Sequence, residues 1–219
     1  YTVKELVPSD AVNGVKDGVT YDQSEWTIMV TVKDDGQGNL TATKSATKKN
    51  SDGTTVTRDV PLFNNTYTAK PVILTGDTAL KVTKHVTGYN SSEAYSFNLA
   101  LAPGDSTGVS YANGATTATT SSSIKDGATE TASFGAVTFS KAGTYTFNVT
   151  ETQGSKAGWT YDKSSHAITV NVADNGKGQL VAFVTGNNPT FENSYEAAES
   201  DGVVVVAKKV LSGAPLMAG

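Results

Sequence analysis

Trp26-Thr27-Ile28-Met29-Val30-Thr31-Val32-Lys33-Asp34-Asp35-Gly36-Gln37-Gly38-Asn39-Leu40 reads as a strand, an Asp/Gly turn and the start of a second strand. The pattern recurs without a gap as His166-Ala167-Ile168-Thr169-Val170-Asn171-Val172-Ala173-Asp174-Asn175-Gly176-Lys177-Gly178-Gln179-Leu180. Just upstream, Gly18-Val19-Thr20-Tyr21-Asp22 matches Gly158-Trp159-Thr160-Tyr161-Asp162. Further out, Tyr1-Thr2-Val3-Lys4-Glu5 matches Phe147-Asn148-Val149-Thr150-Glu151, and Phe63-Asn64-Asn65-Thr66-Tyr67 matches Phe191-Glu192-Asn193-Ser194-Tyr195. The offsets change only through loop lengths, as surface connections allow. Val82-Thr83-Lys84-His85-Val86 also resembles Val206-Ala207-Lys208-Lys209-Val210. An internal repeat of this length sets the architecture before any local reading does.

The matches predict the back half of one domain over residues 1–68, a complete domain over 77–197 and the opening strand of a third over 202–219. Thr68 to Thr75 and Glu196 to Asp201 read as the linkers. Because Tyr1 opens within an alternating strand pattern, the chain is expected to be a window on a longer repetitive protein. In the complete domain the spacing predicts strands at 79–87, 95–101, 131–139, 144–151, 166–173, 179–185 and 190–195, separated by Gly/Asn/Asp/Ser turns. The Ser/Thr-rich stretch from Tyr111 to Thr131 reads as a long irregular loop. Short strands at this spacing define an all-β protein of tandem Ig-like, Greek-key β-sandwich domains.

Composition agrees, since Thr, Val, Gly, Ser and Asn dominate, and these favour strands and turns over helices. A hydrophobic share of 37% is low but enough for thin sandwich cores. With a formal net charge of -4 and no extended Lys/Arg cluster, the chain has no electrostatic footprint for nucleic acid or an anionic membrane. No apolar run approaches a membrane span, Val203 to Ala207 being only strand-sized. There is no cysteine, and His85 and His166 are far apart in sequence, so neither disulfides nor a metal site nor any other cofactor is expected. No Ser/His/Asp constellation or phosphate loop points to a turnover enzyme.

Three polar residues fall on the core register of their strands, where side chains alternate sides. Lys84 shares a face with Leu80, Val82 and Val86; Glu151 with Tyr145, Phe147 and Val149; Asn193 with Phe191 and Tyr195. A strand end explains any one of them, because alternation lapses there and polar groups reach solvent. Recurrence weakens that explanation, for Glu5 and Asn65 repeat the pattern in the first copy and Lys208 lies in register with Val204, Val206 and Val210.

Burying an ammonium, a carboxyl group and an amide costs several kcal/mol unless they are mutually satisfied or react. Desolvation favours the neutral amine and the protonated acid, which places a nucleophile beside a hydrogen-bond donor able to polarise the Asn carbonyl. Attack on the Asn amide carbon with loss of ammonia would leave a Lys–Asn amide and no buried charge.

Leu80-x-Val82-Thr83-Lys84, Ala142-Gly143-Thr144-Tyr145-Thr146-Phe147-Asn148-Val149-Thr150-Glu151, Thr160-Tyr161-Asp162 and Phe191-Glu192-Asn193-Ser194-Tyr195, in that order, resemble the streptococcal pilin isopeptide-linkage domain. That family includes major pilins and repeat adhesins of Gram-positive bacteria. The resemblance implies a Lys84–Asn193 isopeptide crosslink with Glu151 handling protons. It gives Glu5 and Asn65 the same roles in the first copy and Lys208 the lysine role in a third. It also implies an extracellular, cell-wall-attached stalk whose partners are adjacent repeats, with a host protein- or glycan-binding module, through residues 102 to 130, as the alternative. No sortase sorting signal or pilin-type polymerisation lysine motif is present, which favours an adhesin stalk over a pilin backbone.

Overall fold

The computed structural model describes residues 1–104, 107–199, 202, 205–208 and 212–213. Among these the chain is strands and turns, with a single 3-10 turn at Gly76–Thr78 and no α-helix.

The complete domain is a sandwich. One sheet orders Thr117–Thr119, Ser96–Leu101, Gly143–Glu151, Ser165–Asp174 and Leu180–Thr185; the other orders Thr129–Ser133, Lys81–Thr87, Thr190–Tyr195 and Trp159–Thr160. Val82, Val86 and Phe191 from the second sheet meet Phe97, Phe147, Val149, Ile168 and Val170 from the first in one continuous core. Phe97 and Phe191 touch across it at 5.1 Å between ring centroids. Most pairings are antiparallel, but Lys81–Thr87 and Thr190–Tyr195, the lysine and asparagine strands, run parallel with Phe191 opposite Lys84.

A third, three-stranded sheet of Val109–Tyr111, Val137–Phe139 and Val72–Leu74 lies outside the predicted pattern. Val72–Leu74 falls in the stretch read from sequence as a linker, yet it pairs with Val137–Phe139. The predicted strand 131–139 is two strands broken at Phe134 to Ala136. Gly135 explains the break, since a Cβ there would lie 2.7 Å from the Ala115 Cα. The stretch from Tyr111 to Thr131 is not an irregular loop. Thr117–Thr119 pairs with Ser96–Leu101, and Ala115, Ala118 and Ile124 are buried.

Residues 1–68 form a smaller unit, a four-stranded sheet of Thr2–Lys4, Glu25–Asp34, Leu40–Lys49 and Thr55–Arg58 beside a three-stranded one of Val15–Lys16, Val19–Thr20 and Thr66–Tyr67. Equivalent positions differ sharply in burial: Val170 is 0% exposed but Val30 45%, and Leu180 4% but Leu40 70%. The strands that cover these positions in the complete domain have no counterpart in residues 1–68. The expected opening strand of a third copy lies mostly outside the described residues; of it, 205–208 are exposed and in no strand.

The two units meet at one joint. The Tyr67 hydroxyl donates to Asp174 Oδ1 at 2.6 Å and accepts from the Gly178 N–H at 3.2 Å. Gln179 Nε2 donates to the carbonyls of Lys70 and Pro71 at 3.1 and 3.0 Å.

Candidate crosslinking site

The alternation that places Lys84, Glu151 and Asn193 inside is visible in each strand. In Lys81–Thr87 the buried residues are Val82, Lys84 and Val86, and in Gly143–Glu151 they are Tyr145, Phe147, Val149 and Glu151. In Thr190–Tyr195 they are Phe191 and Asn193. Lys84, Glu151 and Asn193 are 0%, 5% and 1% exposed. Parallel pairing puts Lys84 and Asn193 on neighbouring strands of one sheet, offset diagonally because Phe191 is opposite Lys84 and Val86 opposite Asn193, and Glu151, at the end of its strand in the other sheet, reaches across the core to both.

One carboxylate joins them. Lys84 Nζ donates to Glu151 Oε2 at 2.7 Å, and Asn193 Nδ2 donates to Glu151 Oε1 at 2.6 Å. The ammonium also lies 4.8 Å from the centroid of the Tyr95 ring, whose electron-rich face favours a cation. Burial pushes the Lys84 pKa below the ordinary lysine value, and the hydrogen bond and charge of Glu151 oppose that shift without cancelling it.

The remaining atom of the amide has a partner that the alternation pattern did not reveal. The Asp162 backbone N–H donates to Asn193 Oδ1 at 2.8 Å. Sequence reasoning assigned polarisation of that carbonyl to the glutamic acid; in the structure Glu151 holds the amide nitrogen and Asp162 holds the oxygen. The Asp162 side chain fixes its own backbone, because Oδ2 accepts from the Glu192 N–H at 2.9 Å and Oδ1 from the Ser164 N–H at 2.8 Å. Burial raises the Asp162 pKa, but hydrogen bonds from Ser164 and Glu192 outweigh it and hold the carboxyl below its usual range.

Tyr161 and Glu93 close one side. The Tyr161 hydroxyl donates to Glu93 Oε1 at 2.7 Å, and its ring packs 6.4 Å from that of Tyr95. Burial and the Glu93 carboxylate raise the Tyr161 pKa to about 12. The recurrence of Thr-Tyr-Asp at 20–22 and 160–162 was the signal for Tyr161 and Asp162.

The first copy repeats the geometry up to the lysine. Asn65 Nδ2 donates to Glu5 Oε1 at 2.6 Å and the Asp22 N–H donates to Asn65 Oδ1 at 2.8 Å. Asp22 is pinned by the Asn64 and Ser24 N–H groups at 2.9 Å each. Glu5 Oε2, the counterpart of the oxygen that meets Lys84, is buried and has no hydrogen-bond partner among the described residues. Lys208 is not brought to this site, and its side chain is exposed.

The site thus consists of a lysine and an asparagine on neighbouring parallel strands of one sheet, both bonded to one buried carboxylate from the opposite sheet. Residues 1–68 and 80–196 match the Spy0128-like isopeptide-containing domain, FctA, and the chain belongs to that family. It is thus a pilin-type structural protein of an extracellular surface fibre. Comparison with curated proteins returns no match.

Proposed function

We propose that this chain is a stalk segment of a Gram-positive cell-surface fibre, attached to the cell wall through a region beyond these residues. Its complete domain is locked by a Lys84–Asn193 isopeptide bond formed by the domain's own side chains. The observation that carries this reading is the single buried carboxylate of Glu151 between the Lys84 amine and the Asn193 amide.

The alternative meaning of that triad is a stabilising ion pair. Desolvation costs several kcal/mol per ion, which offsets much of the attraction, so a buried pair is a poor stabiliser unless it has another use. Reaction supplies that use. Lys84 passes a proton to Glu151 Oε2, and the freed amine attacks Asn193 Cγ. The C–N bond forms as the carbonyl π pair moves onto Oδ1, where the Asp162 N–H receives the developing charge. Glu151 gives its proton to Nδ2, the Cγ–Nδ2 bond breaks and ammonia leaves. Glu151 then takes the remaining surplus proton from the former Lys84 nitrogen and keeps it, so an amide and a neutral acid replace the ion pair. Each domain reacts once, which makes the process maturation rather than enzymatic turnover.

The first copy holds the glutamate and asparagine of the same reaction, and Glu5 Oε2, which accepts no bond from the described residues, suits the ammonium of a lysine strand. Adjacent repeats of the fibre are the partners this reading requires. Intact mass of the purified chain tests it. Loss of one ammonia relative to the sequence mass is expected, and Glu151→Gln and Lys84→Ala should restore the full mass. A parent at full mass would overturn the reading.

A further inference from the structure

The joint between the two units has two halves, and each half recurs unpaired elsewhere among the described residues. The receiving half is a platform of Gly18 and Tyr67. The Thr68 N–H donates to the Gly18 carbonyl at 2.9 Å, and Val19 and Thr20 pair with Tyr67 and Thr66. The inserted half is the turn Asp174 to Gly178. Gly178 comes so close that a Cβ on Gly18 would lie 2.5 Å from the Gly178 Cα. Both glycines hold positive φ, +82° and +74°, so contact depends on missing side chains and on backbone that other residues rarely adopt.

The platform is rebuilt at the far pole of the complete domain. The Glu196 N–H donates to the Gly158 carbonyl at 2.9 Å, Trp159 and Thr160 pair with Tyr195 and Ser194, and Gly158 has φ +79°. Packed against Trp159 and Tyr89, the Tyr195 ring has no hydrogen-bond partner for its hydroxyl among the described residues. The Tyr67 hydroxyl, by contrast, bonds twice.

The turn is also rebuilt, at the pole of the first unit away from the joint, where Glu25–Asp34 ends. Gly36 N–H bonds Asp34 Oδ1 at 2.8 Å as Gly176 N–H bonds Asp174 Oδ1 at 2.8 Å. Gln37 N–H bonds Asp35 Oδ1 at 2.7 Å as Lys177 N–H bonds Asn175 Oδ1 at 2.8 Å. Gly36 and Gly38 hold φ +74° and +87°, and a Cβ on either would meet nothing within 4 Å. The turn therefore has its docking shape before anything docks, which removes the ordering cost of binding.

We propose that the Gly158–Tyr195 pole is a docking platform for the Asp-x-Gly-x-Gly turn of another copy of this protein, so that units stack head to tail through one repeated joint. Platform and turn lie at opposite poles, so the contact is heterologous and continues along an axis instead of closing on itself. Within the chain, the short linker after Tyr67 supplies the high local concentration that lets so small a contact hold.

Concentration-dependent amide spectra of the isotope-labelled chain, carried to about 1 mM where contacts this small register, test the proposal with a second copy as the probe. Shifts are expected at Gly36, Gly38, Gly158 and Tyr195. Tyr195→Phe, which keeps the ring and removes the hydroxyl, should weaken the association about fivefold to tenfold. Gly38→Val should abolish it. An absence of shifts, shifts confined to the open Met29 to Leu40 face, or an unchanged titration of Tyr195→Phe would each overturn the proposal. The contact is non-covalent, so its failure leaves the mass measurement for the crosslink unaffected.

Discussion

Asn193 presents its carboxamide oxygen to the backbone of Asp162, at 2.8 Å, and its nitrogen to Glu151, at 2.6 Å. The amide is thereby oriented with the nitrogen that would leave in the proposed reaction against the Glu151 carboxylate and its oxygen against a fixed donor. The Asp162 carboxylate keeps that donor aimed, and the same arrangement recurs at Asp22 and Asn65.

Asp162→Ala should therefore slow crosslinking without preventing folding. The N–H survives the substitution but loses its alignment, and a lost oxyanion donor typically costs about 10²–10³ in rate. A slowing of roughly tenfold to a hundredfold is expected for misalignment alone. Time-resolved intact mass during refolding measures it, and Asp162→Asn, which keeps one acceptor oxygen, should recover part of the rate. A parent-like rate in Asp162→Ala would remove Asp162 from the mechanism.

Asn193→Ala and Lys84→Ala separate the bond from the charge pair. Each removes the proposed bond, which would close a loop of about 100 residues and contribute on the order of 4–5 kcal/mol through the unfolded state. Lys84→Ala also strands Glu151 in the core, a further cost of about 3–5 kcal/mol. Thermal melting should rank the parent above Asn193→Ala and Asn193→Ala above Lys84→Ala. Equal midpoints for all three would contradict both the bond and the buried pair.

Alkaline titration reports on the wall of the site. Tyr161 ionises near pH 10.0 when unfolded and about 12 when folded, so the folded state retains a proton that the unfolded state has lost. Its contribution to stability is complete below pH 10 and disappears as the pH rises to about 12. Tyr161→Phe should flatten that decline. A decline of the same steepness in the variant would show that other groups cause it.

Denaturing gels address the first copy. Glu5 and Asn65 are poised but have no lysine bonded to them among the described residues, and Lys208 is exposed. A single band with the loss of one ammonia is expected. A ladder of covalent multimers that disappears in Lys208→Ala would instead show Lys208 of one molecule reacting with Asn65 of another.

The sandwich and the triad were legible because burial here follows strict alternation. Lys84 between Val82 and Val86 can face only inward if its neighbours do, and the repeat shows that the pattern is not incidental. Asp162 was less legible, since a backbone N–H contributes equally for every residue type and only the recurrent carboxylate hinted at its aim. The three-stranded sheet was hidden by length, because Val72–Leu74 is too short for alternation to show and follows Pro71. The stretch from Tyr111 to Thr131 buries Ala115, Ala118 and Ile124, residues too small or too widely spaced to read as a periodic face.

Val72–Leu74 lies ahead of Lys84 in the chain, outside the loop that a Lys84–Asn193 bond would close, and is held by a three-residue edge pairing with Val137–Phe139, by Leu74 in the core and by the Gln179 bonds to Lys70 and Pro71. A pull along the fibre would peel this strand while everything between the bonded residues stayed folded. Residues 69–79, ahead of the fully paired Lys81–Thr87 strand, then give a reserve of slack with a contour on the order of 40 Å. Each domain would act as an inextensible link with a short recoverable spring, able to absorb a sudden load and re-zip when the load falls.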